Sequence, residues 1–142
     1  MITNINLVTV YCLDQDQARD FYVDVLGFEA RTDITMAEGF RWVTVSHPAQ
    51  PNLEVTLMTP GPPLDPDAAE FIRRQLEKGS MGGLGLAVDD CRKTAEDLKS
   101  KGVEFLQDPE ERPYGVEALI RDNSGNWMVL VEHKAYTHAD FE

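Results

Sequence analysis

The sequence predicts an α+β protein made of two tandem βαβββ modules whose mixed sheets form a concave trough. Three observations carry this expectation. A strand, an amphipathic helix and three further strands follow one another within the first sixty residues. The same order returns from Leu84 onward. Landmarks of the two halves also keep a nearly constant spacing: Asp14 and Asp90 are 76 residues apart, Gly27 and Gly102 are 75 apart, and Glu54 and Val129 are 75 apart. An internal duplication of about 75 residues is the simplest account of that regularity.

The first strand is Ile5 to Cys12, rich in β-branched residues. Val8, Val10 and Cys12 alternate with Leu7, Thr9 and Tyr11. Asp14 and Asp16 then offer capping oxygens to a helix whose Ala18, Phe21, Tyr22, Val25 and Leu26 recur on one face until Gly27. Phe28 to Thr32, Phe40 to Ser46 and Leu53 to Met58 read as strands, separated by the turn Ala37-Glu38-Gly39 and by the loop holding Pro48 and Pro51. Thr59 to Pro66 carries four prolines and a glycine and reads as a linker. Asp67 is the expected cap of a short helix with Ala68, Phe71, Ile72 and Leu76 on one face.

In the second half, Leu84 to Val88 is a strand, the pair Asp89-Asp90 opens a helix carrying Cys91, Ala95 and Leu98, and Val103 to Leu106 follows Gly102 as the next strand. The acidic run Asp108 to Glu111 reads as a solvated loop, and Arg112-Pro113-Tyr114-Gly115 as a further loop. Val116 to Arg121 and Trp127 to Glu132 close the module as strands joined by a tight turn at Asn123-Ser124-Gly125. The expected organisation is one domain over residues 1–142: a first module at 4–59, linker and bridging helix at 60–80, a second module at 81–133 and a tail at 134–142.

Composition narrows the function classes. Thirteen Lys and Arg against twenty-five Asp and Glu leave a formal net charge of −12. That field repels phosphate backbones and removes the counterion release on which nucleic-acid binding depends. No apolar run approaches the ~20 residues that span a bilayer. Met1 to Asn6 has neither the basic segment nor the hydrophobic stretch of a secretion signal, so no membrane partner and a cytoplasmic location are expected. Cys12 and Cys91 have no motif spacing and read as small buried hydrophobes.

Each module covers one sheet face with its own helix and leaves the other face without a local partner. Paired edge to edge, two such faces form a partly hydrophobic hollow, a common form for a small-molecule site. Alternation lines it with Leu7, Thr9 and Tyr11, with Glu54, Thr56 and Met58, and with Trp127, Val129 and Val131, while Gly83, Gly85 and Ala87 leave volume empty. Phe40, Trp42 and Thr44 join them if their strand keeps that register.

The residues Val10 to Asp14, Phe21-Tyr22, Leu26-Gly27-Phe28, Ala87 to Asp90, Gly102-Val103 and Asp122 to Asn126, in this order, resemble the vicinal oxygen chelate superfamily. That superfamily groups glyoxalase I, extradiol dioxygenases, fosfomycin-resistance enzymes and bleomycin-resistance proteins. The likeness extends from Ile5 to Glu132. It implies the glyoxalase/bleomycin resistance fold and a homodimer. It also implies that metal-dependent members draw ligands from four positions, which fall here on Leu7, Glu54, Gly83 and Val129. Only Glu54 can coordinate, and a catalytic divalent site takes about three protein ligands. No cofactor is therefore expected. A divalent metal, if present, would rest on Glu54 and His47, because His133 lies beyond the last strand and His138 in the tail.

Glu54 has two readings: a carboxylate in the hollow, acting as general base or as partner of a cationic ligand, or a rim group paired with Arg41 or Arg121. The candidate ligand-binding residues are Thr9, Tyr11, Trp42, Glu54, Thr56, Met58, Tyr114, Trp127 and Val129, and Glu54 is the catalytic candidate. Two functions stay open: metal-free binding or sequestration of a small cationic or aromatic molecule, and a metal-dependent or Glu54-assisted lyase, isomerase or dioxygenase. A third is a non-catalytic structural or regulatory partner whose hollow is filled by its own side chains.

Overall fold

The computed structural model describes residues 1–142. Its strands are β1 (Leu7–Tyr11), β2 (Glu29–Thr35), β3 (Arg41–Ser46), β4 (Glu54–Met58), β5 (Met81–Ala87), β6 (Phe105–Arg112), β7 (Gly115–Arg121) and β8 (Asn126–His133). Its helices are α1 (Gln15–Asp20), α2 (Pro66–Glu77) and α3 (Cys91–Ser100). Two four-stranded sheets result, in the orders β1-β4-β3-β2 and β5-β8-β7-β6, so the βαβββ unit occurs twice in tandem. The chain divides into two compact units, Met1–Met81 with Asn123–Gly125, and Gly82–Asp122 with Asn126–Glu142.

In the first unit β1 runs parallel to β4, from Leu7 opposite Glu54 to Tyr11 opposite Met58, and β3 lies antiparallel to β4 with Thr44 opposite Thr56. The helix-covered face buries Val10, Val43, Val45, Val55 and Leu57. Each fully buried side chain of this size contributes about 1.5–3 kcal/mol. Asp14 caps α1 by accepting the Gln17 N–H at 2.8 Å. Asp16 caps nothing and instead meets Arg41 at 2.8 Å. Gln15 Nε2 donates to the carbonyls of Arg41 and Leu57, which fastens the helix start to β3 and β4.

Past Asp20 the helix widens into one π-helical turn over Phe21–Val25. That turn seats Tyr22 in the core, edge-on to both Phe21 and Phe28. Further on, Asp65 rather than Asp67 caps α2, accepting the Ala68 N–H at 2.8 Å. Pro66 takes the first helical position, where a missing N–H costs nothing. Leu76 is buried as the sequence predicts, but Ala69 joins it and Phe71, expected on the same face, is exposed.

In the second unit Asp90 caps α3 through the Lys93 N–H at 3.0 Å, and Glu132 of β8 accepts the Cys91 N–H at 2.9 Å. Ala95, Leu98, Ala118, Ile120, Met128 and Leu130 form the core of this unit. Two sequence expectations change here. The strand after Gly102 begins at Phe105, with Val103 buried in the turn before it. Asp108 to Glu111 belong to β6 and are not a loop. β6 is an edge strand, where alternating solvent-facing acids and a proline without N–H are both tolerated.

Candidate functional site

The face of the first sheet turned away from α1 is ordered in rows across the strands, and Thr44, Ser46 and Thr56 on it are buried. At one end Tyr11, Met58, Trp42 and Ile34 lie side by side on β1, β4, β3 and β2. Phe40 packs beside Trp42 with ring centroids 6.3 Å apart. In the middle stand Thr9, Thr56 and Thr44, and the Thr32 N–H donates to Thr44 Oγ1 at 3.1 Å. A bulge between Ala30 and Asp33 brings that N–H to Thr44, because two residues of β2 oppose one of β3. Leu7, Glu54 and Ser46 form the third row, and Arg31 Nη1 donates to Ser46 Oγ at 2.9 Å.

Glu54 is half-buried and is held by a neighbour: Thr44 Oγ1 donates to Glu54 Oε1 at 2.7 Å. It pairs with neither arginine considered for it. Arg41 lies on the opposite face and binds Asp16 and Asp33, and Arg121 binds Glu104 at 2.7 Å. Hydrogen bonds from Arg41, reinforced by its charge, hold the Asp16 and Asp33 carboxyls below the usual range. Among the buried hydroxyls of the face, Thr56 Oγ1 alone has no hydrogen-bond partner, and the residue is fully buried.

Six of the predicted contacts, Thr9, Tyr11, Trp42, Glu54, Thr56 and Met58, thus share one face of one sheet. The other three belong to the second unit. Trp127 and Val129 alternate with the core residues Met128 and Leu130 of β8, opposite Arg121 and Leu119 of β7. The small wall beneath them is shifted from the expected positions. A Cβ on Gly82 would meet the Trp127 ring at 3.2 Å and one on Gly85 would meet Val129 at 3.3 Å, whereas one on Gly83 would meet the buried side chains of Asn126 and Met128. Tyr114 sits in the β6–β7 turn and donates its hydroxyl to Glu117, which raises the Tyr114 pKa. The tail is ordered upon it: Phe141 stacks on Tyr114 and Tyr136 meets Phe141 edge-on at 5.3 Å.

The donor set for a divalent ion does not fit. Of the four positions Leu7, Glu54, Gly83 and Val129 only Glu54 bears a donor, and one of its oxygens already receives the Thr44 hydroxyl. His47 alternates with Ser46 to the helix-covered side, its Nδ1 accepts the Ala49 N–H at 3.0 Å, and its ring meets the edge of Phe28. It cannot reach Glu54. No group of three or more His, Cys, Asp or Glu side chains is placed to hold a metal.

Sequence reasoning missed Thr44 as the residue that fixes Glu54, and Glu117 as the partner of Tyr114. The first had a signal in the sequence, a hydroxyl alternating with Val43 and Val45 inside a β-branched strand. The second depends on a turn geometry that spacing does not reveal. No helix is long and apolar enough to cross a membrane.

A family model described as Glyoxalase/Bleomycin resistance protein/Dioxygenase superfamily matches residues 4–130. Among solved structures, UcmS2 is 41% identical with a TM-score of 0.84, the match covering 93% of this chain and 99% of that one. TnmS3, an antibiotic binding protein from Streptomyces sp. CB03234, is 28% identical with a TM-score of 0.74 over 94% of this chain and 98% of its own. A superfamily member from Sphaerobacter thermophilus DSM 20745 is 31% identical with a TM-score of 0.72, over 93% and 98% of the two chains. By sequence over nearly its whole length and by the twice-repeated βαβββ unit, the chain belongs to the glyoxalase/bleomycin resistance protein/dioxygenase superfamily.

Proposed function

We propose that the protein binds a small organic molecule, aromatic or cationic, on the sheet faces turned away from the helices and holds it unchanged without a metal. One observation carries the reading. A single sheet face presents Trp42, Met58 and Tyr11 at one end and, at the other, a carboxylate that a neighbouring threonine has already oriented. Apolar and aromatic surface with a few fixed polar groups is the usual composition of a ligand site. Retention needs no more than this complementarity, and the positions that hold an ion in metal-dependent relatives have one donor left among four. The likeness to TnmS3, an antibiotic binding protein, supports the same class of activity. The net charge of −12 favours cations through its long-range field. The reading extends to a cytoplasmic homodimer, with two-fold symmetry as the default arrangement.

The test is titration of the purified protein with bleomycin, a cationic molecule with an aromatic end, followed by tryptophan fluorescence and mass spectrometry of the released ligand. Saturable quenching with recovery of an unaltered ligand is expected. Recovery of a product of changed mass, or loss of activity on removing a stoichiometric bound metal, would favour an enzyme instead.

A further inference from the structure

The three rows of the first sheet imply a direction as well as a surface. Resting on the binding function above, we propose that this face takes an elongated ligand lengthwise along the strands. Its aromatic end lies over Trp42 and Met58, a hydrogen-bond acceptor near its middle meets the Thr56 hydroxyl, and its cationic end meets Glu54.

Side chains pointing to one face of a strand recur every second residue, at about 3.3 Å per residue. Met58 and Glu54 therefore mark positions about 13 Å apart along β4, with Thr56 halfway. The two ends differ in chemistry. Around Met58 the neighbours across the sheet are Tyr11, Trp42 and Ile34, all carrying large apolar surface. Beside Glu54 are Leu7 and Ser46, and no cation occupies the carboxylate, since the nearby Arg31 is engaged with Ser46 and the Pro51 carbonyl. The Glu54 oxygen that Thr44 does not hold stays available to a positive group.

The middle row supplies the most specific element. Thr44 uses its hydroxyl twice, donating to Glu54 and accepting from the Thr32 N–H. Thr56, its neighbour across the β3–β4 pair, is equally buried but its Oγ1 has no partner. Buried hydroxyls are rarely left so, because the lost solvation is not recovered. A hydroxyl without a partner in the free protein, on the same side as Glu54 and Met58, is completed by an acceptor that arrives with the ligand and displaces the side chains that bury it. A carbonyl or sulfonyl oxygen is such an acceptor. The ligand class is thus an amphipathic cation with an aromatic terminus and a mid-length acceptor.

Three fluorescent probes separate these elements: dansylcadaverine, its neutral analogue N-pentyl dansylamide, and dansyl-6-aminohexanoic acid. They share the aromatic end and the sulfonyl and differ in terminal charge. Dansylcadaverine should bind about tenfold more tightly than the neutral probe, with the carboxylate probe weakest. Glu54→Gln should reduce that order to the small remainder set by the overall charge. Asp67→Asn, an equal change of charge on the exposed first turn of α2, should preserve the order, which separates a local carboxylate from the overall field. Thr56→Val should weaken all three probes about fivefold while raising the thermal midpoint of the free protein, and Thr56→Ser should retain binding. Equal binding of the three probes overturns the charged end, and unchanged affinity in Thr56→Val overturns the central contact. Either result leaves the binding function standing. Failure of all three probes together with bleomycin overturns that function and this layout with it.

Discussion

Thr44 on β3 and Glu54 on β4 are diagonal neighbours on one sheet face, and the threonine hydroxyl donates to the carboxylate at 2.7 Å while receiving the Thr32 N–H. Replacing Thr44 with valine keeps the shape and removes both bonds, leaving a backbone donor of β2 and a half-buried carboxylate short of partners. Thr44→Val should therefore lower unfolding stability by about 1–3 kcal/mol, read from urea denaturation. The opposite sign expected for Thr56→Val makes the two adjacent threonines a matched pair.

Arg41 joins α1 to β2, with Nη2 at 2.8 Å from both Asp16 and Asp33. Its hydrogen bonds hold both carboxyls below their usual value. A carboxyl lowered in the folded state stabilises the fold above its unfolded value of about 3.9, and that contribution disappears as pH falls through the folded value. Arg41→Met should reduce the thermal midpoint at pH 7 and shift acid unfolding to higher pH. The difference from the parent protein should vanish in strong acid, where both carboxyls are protonated in either protein. A difference in midpoint that is independent of pH would rule out this linkage.

Both cysteines are buried, Cys91 completely. Burial first, and then the charge of Glu132, push the Cys91 thiol up. Ellman's reagent at pH 8 should find no reactive thiol in the native protein and two in denaturant. Glu132→Gln should leave Cys91 silent, since burial is the larger cause. The same change weakens the bond that the Cys91 N–H makes.

Gly125 has φ +105°, and a Cβ there would stand 2.0 Å from the Leu76 carbonyl oxygen. No movement of a side chain relieves a clash with backbone. Gly125→Ala should cost about 2–4 kcal/mol, seen as a lowered urea midpoint, whereas Gly27→Ala at φ +81° meets no atom within 4 Å and should cost less.

Much of this architecture could be read from the residues alone. β1 and β4 show in their alternation, Asp14 and Asp90 cap the helices expected of them, and the offset of about 75 residues pairs the modules. Glu54 and Val129 do fall on the closing strands β4 and β8. The failures have physical causes. β6 hides because its charges and Pro109 suit an edge strand as well as a loop, and composition does not separate the two. The cap of α2 moved from Asp67 to Asp65 because two acids two residues apart both qualify, and the position of Pro66 decides between them. Glu54 was considered with Arg41 because opposite charges attract. Alternation on β3 puts Trp42, Thr44 and Ser46 on the face of Glu54 and Arg41 on the other, so the partner comes from that face, and it is the Thr44 hydroxyl.

The two helix starts share a further consequence. In the first unit the side chain of Gln15 reaches the carbonyls of Arg41 and Leu57, and in the second the backbone of Cys91 is held by the side chain of Glu132. Opposite chemistries thus fasten each helix to later strands of its module, the closing strand included in both. Helices of six and ten residues are too short to persist alone in water. A nascent chain leaving the ribosome would hold Gln15 by the Arg41 carbonyl alone until residue 57 emerged, and would leave Cys91 without its anchor until residue 132. Each half should accordingly assemble in a single step after its closing strand is synthesised, and truncation just short of either strand should cost the whole half rather than one edge.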